Sequence, residues 1–198
     1  MSGSSVPRAG IDAGGWLDSS IHLPSPNFES RPGNIEPTLI VVHNMSLPPD
    51  EFGGSAITEF FQNRLDHDAH PYYAHLRGVR VSAHFVIRRD GVVEQYVSCN
   101  ERAWHAGLSS FLGRERCNDF SVGIELEGSD RSPFEPAQYA ALSAVVKALM
   151  QRYPIDAIAG HSDVAPGRKT DPGPYFEWAR LQSGTGLSAR YFPYLAGA

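Results

Sequence analysis

Within "PAQYAALSAVVKALMQRYP", the residues Tyr139, Leu142, Val146, Leu149 and Tyr153 follow one another at intervals of three and four. That period draws an apolar stripe along one side of a helix. Pro154 ends it, because proline lacks an amide proton and its ring clashes with the preceding turn. A helix striped on one side must lay that side on a sheet, and the rest of the chain supplies the strands.

"PTLIVVHN" reads as a buried strand by its length and β-branched content. "VSAHFVIRRDGVVEQYVS" reads as two strands joined at Asp90-Gly91, a dipeptide suited to a tight hairpin turn. "FSVGIELEG" alternates, with Val122, Ile124 and Leu126 on one face and Glu125 and Glu127 on the other. "GGSAITEFFQNRL" reads as a short helix with Ile57, Phe60, Phe61 and Leu65 on one side. Together these elements imply a single mixed α/β domain, a central mixed β-sheet flanked by helices.

The 198 residues fit one domain, and no repeat, low-complexity tract or linker divides them. The expected core runs over about residues 16–182. A Gly/Ser-rich lead-in to about residue 20 is expected to be loose. In the Gly-rich tail, Tyr191, Phe192 and Tyr194 suggest docking. A net charge of -5 argues against a nucleic-acid partner. The best apolar runs are strand-sized, which argues against a membrane span. The N-terminal stretch lacks the hydrophobic segment of a secretory signal. Cys99 and Cys117 do not make a disulfide framework, and a reduced, cytoplasmic chain is expected.

The chemistry gathers near "GHSDVAPGRKTDPG", residues 160–173, whose glycines and prolines let the backbone fold back on itself. His43, His161 and Asp171 would supply two nitrogens and one oxygen, the set of three protein ligands that a catalytic zinc site uses beside an open fourth position. By spacing alone this reading stands level with a surface turn that caps a following helix, since His-x9-Asp is not a specific pattern. His43 taken alone reads as a capping histidine bonded to a backbone carbonyl rather than as a ligand. Glu125, if it lines a cleft holding zinc, is placed to act as a general base; otherwise it belongs to a solvated Glu125/Glu127 face. Lys169 would stabilise a developing oxyanion, or is a surface lysine. His105, beside Trp104, suits a cleft wall. His67, His70 and His75 read as solvated, His84 as packed, and His22 has no context.

Five stretches, "VVHNMSLPPDEFGG", "VSAHFVIRRDGVVEQYV", "RAWHAG", "GRERCNDFSVGIELEG" and "GHSDVAPGRKTDPGP", resemble the zinc-dependent type 2 amidases of the peptidoglycan-recognition superfamily, in their cell-wall-recycling branch. The likeness runs in order from about residue 16 to residue 180. It implies a 1,6-anhydro-N-acetylmuramoyl-L-alanine amidase that binds one zinc ion per chain. By position it implies His43, His161 and Asp171 as metal ligands, Glu125 and Lys169 as catalytic groups, and Asn44, Arg80, Trp104, His105 and Arg116 as contacts to an anhydro-muropeptide. Ser162 stands where the family more often has cysteine, at a position that is not a ligand. Two other readings remain: a peptidoglycan-binding sensor without catalysis, and an exported amidase acting on intact peptidoglycan. The full ligand set with Glu125 counts against the first, and the missing signal segment against the second.

Overall fold

The computed structural model describes residues 10–195. Its strands are β1 (Ile21–His22), β2 (Phe28–Ser30), β3 (Leu39–Met45), β4 (Phe85–Ile87), β5 (Val93–Gln95), β6 (Glu101–Ala103), β7 (Ser110–Phe111), β8 (Arg114–Glu115), β9 (Ser121–Glu127) and β10 (Ala157–Gly160). The helices are α1 (Ala56–Phe61), α2 (Pro136–Arg152), α3 (His161–Val164) and α4 (Trp178–Thr185). Six strands form the central sheet in the order β1-β5-β4-β9-β3-β10. Strands β4, β9, β3 and β10 run parallel, while β5 returns antiparallel to β4. The sheet is therefore mixed and flanked by helices, as expected.

The helical stripe explains one layer. Tyr139, Leu142, Val146 and Leu149 of α2 are buried with Ile40, Val42, Val122, Ile124 and Leu126 of the sheet. The opposite face is covered in two patches. Ile57, Phe60 and Phe61 of α1 pack with Val86 and Tyr96, and Leu39, Val41, Ala157 and Ala159 pack with Phe120 and Val164. Between these patches the strands carry polar residues, and that gap is where the site forms. Each apolar side chain fully removed from water contributes about 1.5–3 kcal/mol, so both layers hold the sheet firmly.

The expected hairpin closes at Asp90-Gly91, where Gly91 has φ 87° and the Arg88 amide donates to the Val92 carbonyl. α1 is shorter than its sequence pattern, because Asn63 takes a left-handed conformation (φ 58°) and turns the chain before Leu65. Residues 10–20 are not loose. Leu17 is in the core, and the Gln95 side chain accepts from its amide while donating to the Gly15 carbonyl. The looseness expected of residues 1–9 concerns positions outside the described residues. The tail docks as expected: Phe192 is buried beside Trp178. Both cysteines are free and buried.

Candidate metal centre

His43 does not end its strand. β3 continues to Met45 because β9 stays paired with it through Glu127, beyond the point where β10 ends, and His43 sits opposite Glu125 in the parallel β3–β9 register. Ile40 and Val42 face α2, so alternation turns His43 to the other face; Ile124 and Leu126 do the same for Glu125. β10 ends at Gly160 and delivers His161 directly into α3, at the carboxyl end of the parallel strands where ligands collect in open α/β sheets.

The bent loop then returns. The Ser162 amide donates to the Asp171 carbonyl at 2.8 Å, and the Gly160 amide donates to the Asp163 carboxylate at 2.7 Å. Gly160 allows this closeness, since a Cβ there would lie 2.8 Å from the Pro172 ring. Asn44 ties the loop to β3, donating to the Pro172 carbonyl at 3.0 Å and to Asp130 at 2.7 Å. Arg168, not among the residues expected at the site, donates to the Ala106 and Leu108 carbonyls and braces the loop from the far side. An arginine between glycine and lysine on a polar loop carries no sequence signal of that duty.

The result is a triangle of donor atoms. His43 Nδ1 lies 2.9 Å from His161 Nδ1, and each lies 3.0 Å from Asp171 Oδ2. His43 and His161 are buried, and Asp171 is partly so. Burial pushes the His43 imidazolium down to about 4, with Asp171 opposing. Burial works against ionising Asp171, but the hydrogen bonds from His161 and His43 outweigh it and hold its carboxyl well below the usual range. Two imidazole nitrogens and one carboxylate oxygen thus converge on one point, and once the imidazoles carry their protons on Nε2 their Nδ1 lone pairs meet there. Such a set suits zinc, whose bonds to histidine nitrogen and carboxylate oxygen run about 2.0–2.2 Å. Among the described residues, this is the group of histidine, cysteine and acidic side chains able to hold a metal ion.

Each histidine is held by its second nitrogen. His161 Nε2 faces the Ala106 carbonyl at 3.1 Å, and His43 Nε2 faces His105 Nδ1 at 2.9 Å. His105 therefore turns inward, and its Nε2 meets the Ser121 hydroxyl at 3.2 Å. Burial first, and then His43, push the His105 imidazolium well below its ordinary range. His84 is buried as expected, with Nδ1 accepting from the Gly123 amide.

Glu125 and Glu127 do not form a solvated face. Both are buried, because β9 is a central strand covered on both sides. Glu125 Oε2 has no hydrogen-bond partner. Burial, and after it the Asp171 charge, raise the Glu125 carboxyl well above its ordinary value, with Lys169 opposing. Lys169 itself is exposed on the loop, close enough for its charge to act on both His43 and Glu125.

Arg80, Trp104 and Arg116 were also expected at the site. Arg80 is exposed. Trp104 is half-buried, with an indole N–H that has no partner, and its amide donates to Ser82. Arg116 is exposed, adopts φ 62° and pairs with Asp119. It borders a hollow of about 430 Å³ shared with Leu108 and Arg168.

The sequence profile of the N-acetylmuramoyl-L-alanine amidases matches residues 33–174. The 1,6-anhydro-N-acetylmuramyl-L-alanine amidase AmpD of Enterobacter cloacae is 56% identical over 171 residues, covering 85% of this chain and 91% of that protein. A crystal structure of a selenomethionine AmpD derivative superposes with a TM-score of 0.86 at 54% identity, covering 88% of this chain and 98% of that one. The E. coli amidase AmiD, in complex with the substrate anhydro-N-acetylmuramic acid-L-Ala-D-gamma-Glu-L-Lys, superposes with a TM-score of 0.58 at 31% identity, covering 81% of this chain and 62% of that one. A profile match over most of the chain, and more than half identity to a relative spanned almost end to end, lead to one assignment. This chain belongs to the N-acetylmuramoyl-L-alanine amidase family.

Proposed function

We propose that this chain is a zinc-dependent amidase that hydrolyses the bond between 1,6-anhydro-N-acetylmuramic acid and L-alanine in soluble muropeptides. The observation that carries this reading is the triangle of His43, His161 and Asp171 beside a buried carboxylate with an unpartnered oxygen. The near-full-length identity to AmpD proteins supports the substrate class, and the AmiD complex supports a small muropeptide as ligand.

In this reading His43, His161 and Asp171 hold one zinc ion, which when bound supplies Lewis acidity at the reacting centre. Glu125 takes a proton from the attacking water on Oε2, as the water oxygen adds to the lactyl carbonyl carbon. The carbon–nitrogen bond then breaks, and Glu125 returns the proton to the departing amine of L-alanine. The products are a lactyl carboxylate and a free peptide amine. Lys169 offsets the charge that grows on the carbonyl oxygen. Arg80 and Arg116 meet substrate carboxylates as planar forks, Trp104 flanks the sugar, and Asn44 offers its carbonyl oxygen while its amide nitrogen holds the ligand loop.

Among the described residues no helix is long and apolar enough to cross a membrane. The two unpaired cysteines fit a reducing compartment, and a cytoplasmic enzyme is part of this reading. A mass-spectrometric time course on anhydro-muramyl tripeptide tests it, with wild type and Glu125→Ala run in parallel. Release of free tripeptide by wild type alone is expected. Equal release by both would overturn the base, and release by neither from zinc-loaded protein would favour a binding module.

A further inference from the structure

We infer that His105 is a positioning residue that sets the tautomer of the His43 ligand, backed by Ser121 and seated on Gly123; this deepens the zinc-amidase reading and rests on it. An imidazole has two nitrogens, and His43 uses both. Nδ1 points to His161 and Asp171, while Nε2 lies 2.9 Å from His105 Nδ1. A metal ligand must present a bare lone pair, so the His43 proton belongs on Nε2 and must be donated away from the centre.

The usual acceptor for such a proton is a carbonyl or a carboxylate, as the Ala106 carbonyl is for His161. His43 has a third imidazole instead, and an imidazole accepts only through a bare nitrogen. His105 must therefore be bare at Nδ1 and protonated at Nε2, and that proton needs an acceptor of its own. The Ser121 hydroxyl stands 3.2 Å from Nε2 and supplies one. Run in reverse, with Ser121 donating to His105 and His105 to His43, the relay would put the proton on His43 Nδ1. There it would point into the ligand triangle and exclude a cation. Only one direction of the three-residue chain is compatible with a metal.

The seat for this ring is made by a missing side chain. A Cβ on Gly123 would fall 2.4 Å from the His105 ring, so glycine at this point of β9 lets the imidazole lie against the strand. His84 finishes the seat. It accepts the Gly123 amide at 3.0 Å and sets its ring edge-to-face with His105 at 5.7 Å. The inward turn of His105 thus has a built support, and the role is distinct from that of a wall beside the sugar.

The test is zinc affinity by chelator competition on the full chain, for wild type, His105→Leu, His105→Asn and Ser121→Ala, with thermal melting of each. His105→Leu removes the acceptor and is expected to weaken zinc about 10- to 100-fold. His105→Asn, which returns an oxygen near the place of Nδ1, is expected to recover most of that loss. Ser121→Ala is expected to cost a smaller factor and serves as the readout if His105→Leu does not fold. A purely structural role would lower melting temperatures with no recovery of affinity in the asparagine variant, and that pattern overturns the inference. Nitrogen-detected NMR of zinc-loaded wild type gives an independent reading: His105 is expected to be protonated at Nε2, and an Nδ1–H signal refutes the relay. Wild type that binds no zinc would bring down the zinc-amidase reading itself. Tight zinc in every variant would bring down this inference alone.

Discussion

Glu125 and Glu127 stand two residues apart on one face of one strand, and their surroundings could hardly differ more. Glu127 is saturated. Its carboxylate pairs with Arg88 at 3.1 Å and accepts the amides of Gly53 and Arg89 at 2.7 and 3.2 Å. Arg88 in turn reaches Glu94 and Thr58, and Glu94 accepts from Tyr96. Glu125 has no such partners, and Asp171 nearby is a like charge. A buried charge with a full set of partners holds structure together. A buried carboxyl left short of them costs stability, and such a cost marks a group kept for something other than packing.

The sharpest way to break this comparison is to neutralise each carboxylate in turn. Glu125→Ala is expected to lose roughly 10² to 10⁴ in turnover while its melting temperature holds or rises. Full turnover, or a large drop in stability, would erase the contrast. Glu127→Gln is expected to do the converse. It leaves Arg88 short of a buried partner at a cost of about 3 kcal/mol, with turnover per folded molecule little changed. Urea unfolding of both variants beside a turnover assay separates the outcomes.

A subtler contrast lies in pH. The folded-state value of Glu125 is raised, so the fold favours its protonated form. Its contribution to stability is therefore full below its unfolded value and is lost as pH rises through the raised folded value. In metal-stripped protein, Glu125→Gln is expected to gain stability over wild type as pH climbs above about 4.5 and then to hold a constant lead. Parallel unfolding curves at every pH would contradict this. The smallest effect is expected from Arg89→Ala. Glu127 is held by the Arg89 amide, which alanine keeps, so the losses are the surface pair with Glu135, the contact to Phe52 and the bond donated to the Pro133 carbonyl. About 1 kcal/mol or less is expected from urea unfolding, and a larger loss would mean the side chain supports Glu127 after all.

Much of the fold was legible because its signals are local. The α2 stripe, the Asp90-Gly91 hairpin and the β-branched β3 each announce themselves within one short continuous stretch. The alternation in β9 was legible as strand but misleading as to exposure. Period two says that two faces differ, not that one is wet, and here α1 and the loops around it cover the second face. At the site, His43, His161 and Asp171 were suggested by residue type and by the family resemblance, and the structure brings them together. The inward turn of His105 was not legible. It depends on an absent Cβ eighteen positions away and on a register between strands that no local pattern encodes. Arg168 was missed for a related reason, since its partners are carbonyls, which every residue carries.

The loop from Gly160 to Gly173 is fastened by bonds that leave the three ligand atoms free: Ser162 to the Asp171 backbone carbonyl, Asn44 to Pro172, and Arg168 to Ala106 and Leu108. The protein itself thereby meets the entropy of closing that loop, so a cation arriving there has little chain left to order. Zinc on such a frame would act by mass action, adding stability in proportion to the logarithm of its concentration over its dissociation constant. It would be an exchangeable guest of a folded host rather than the nucleus without which the chain does not fold, as it is in a zinc finger.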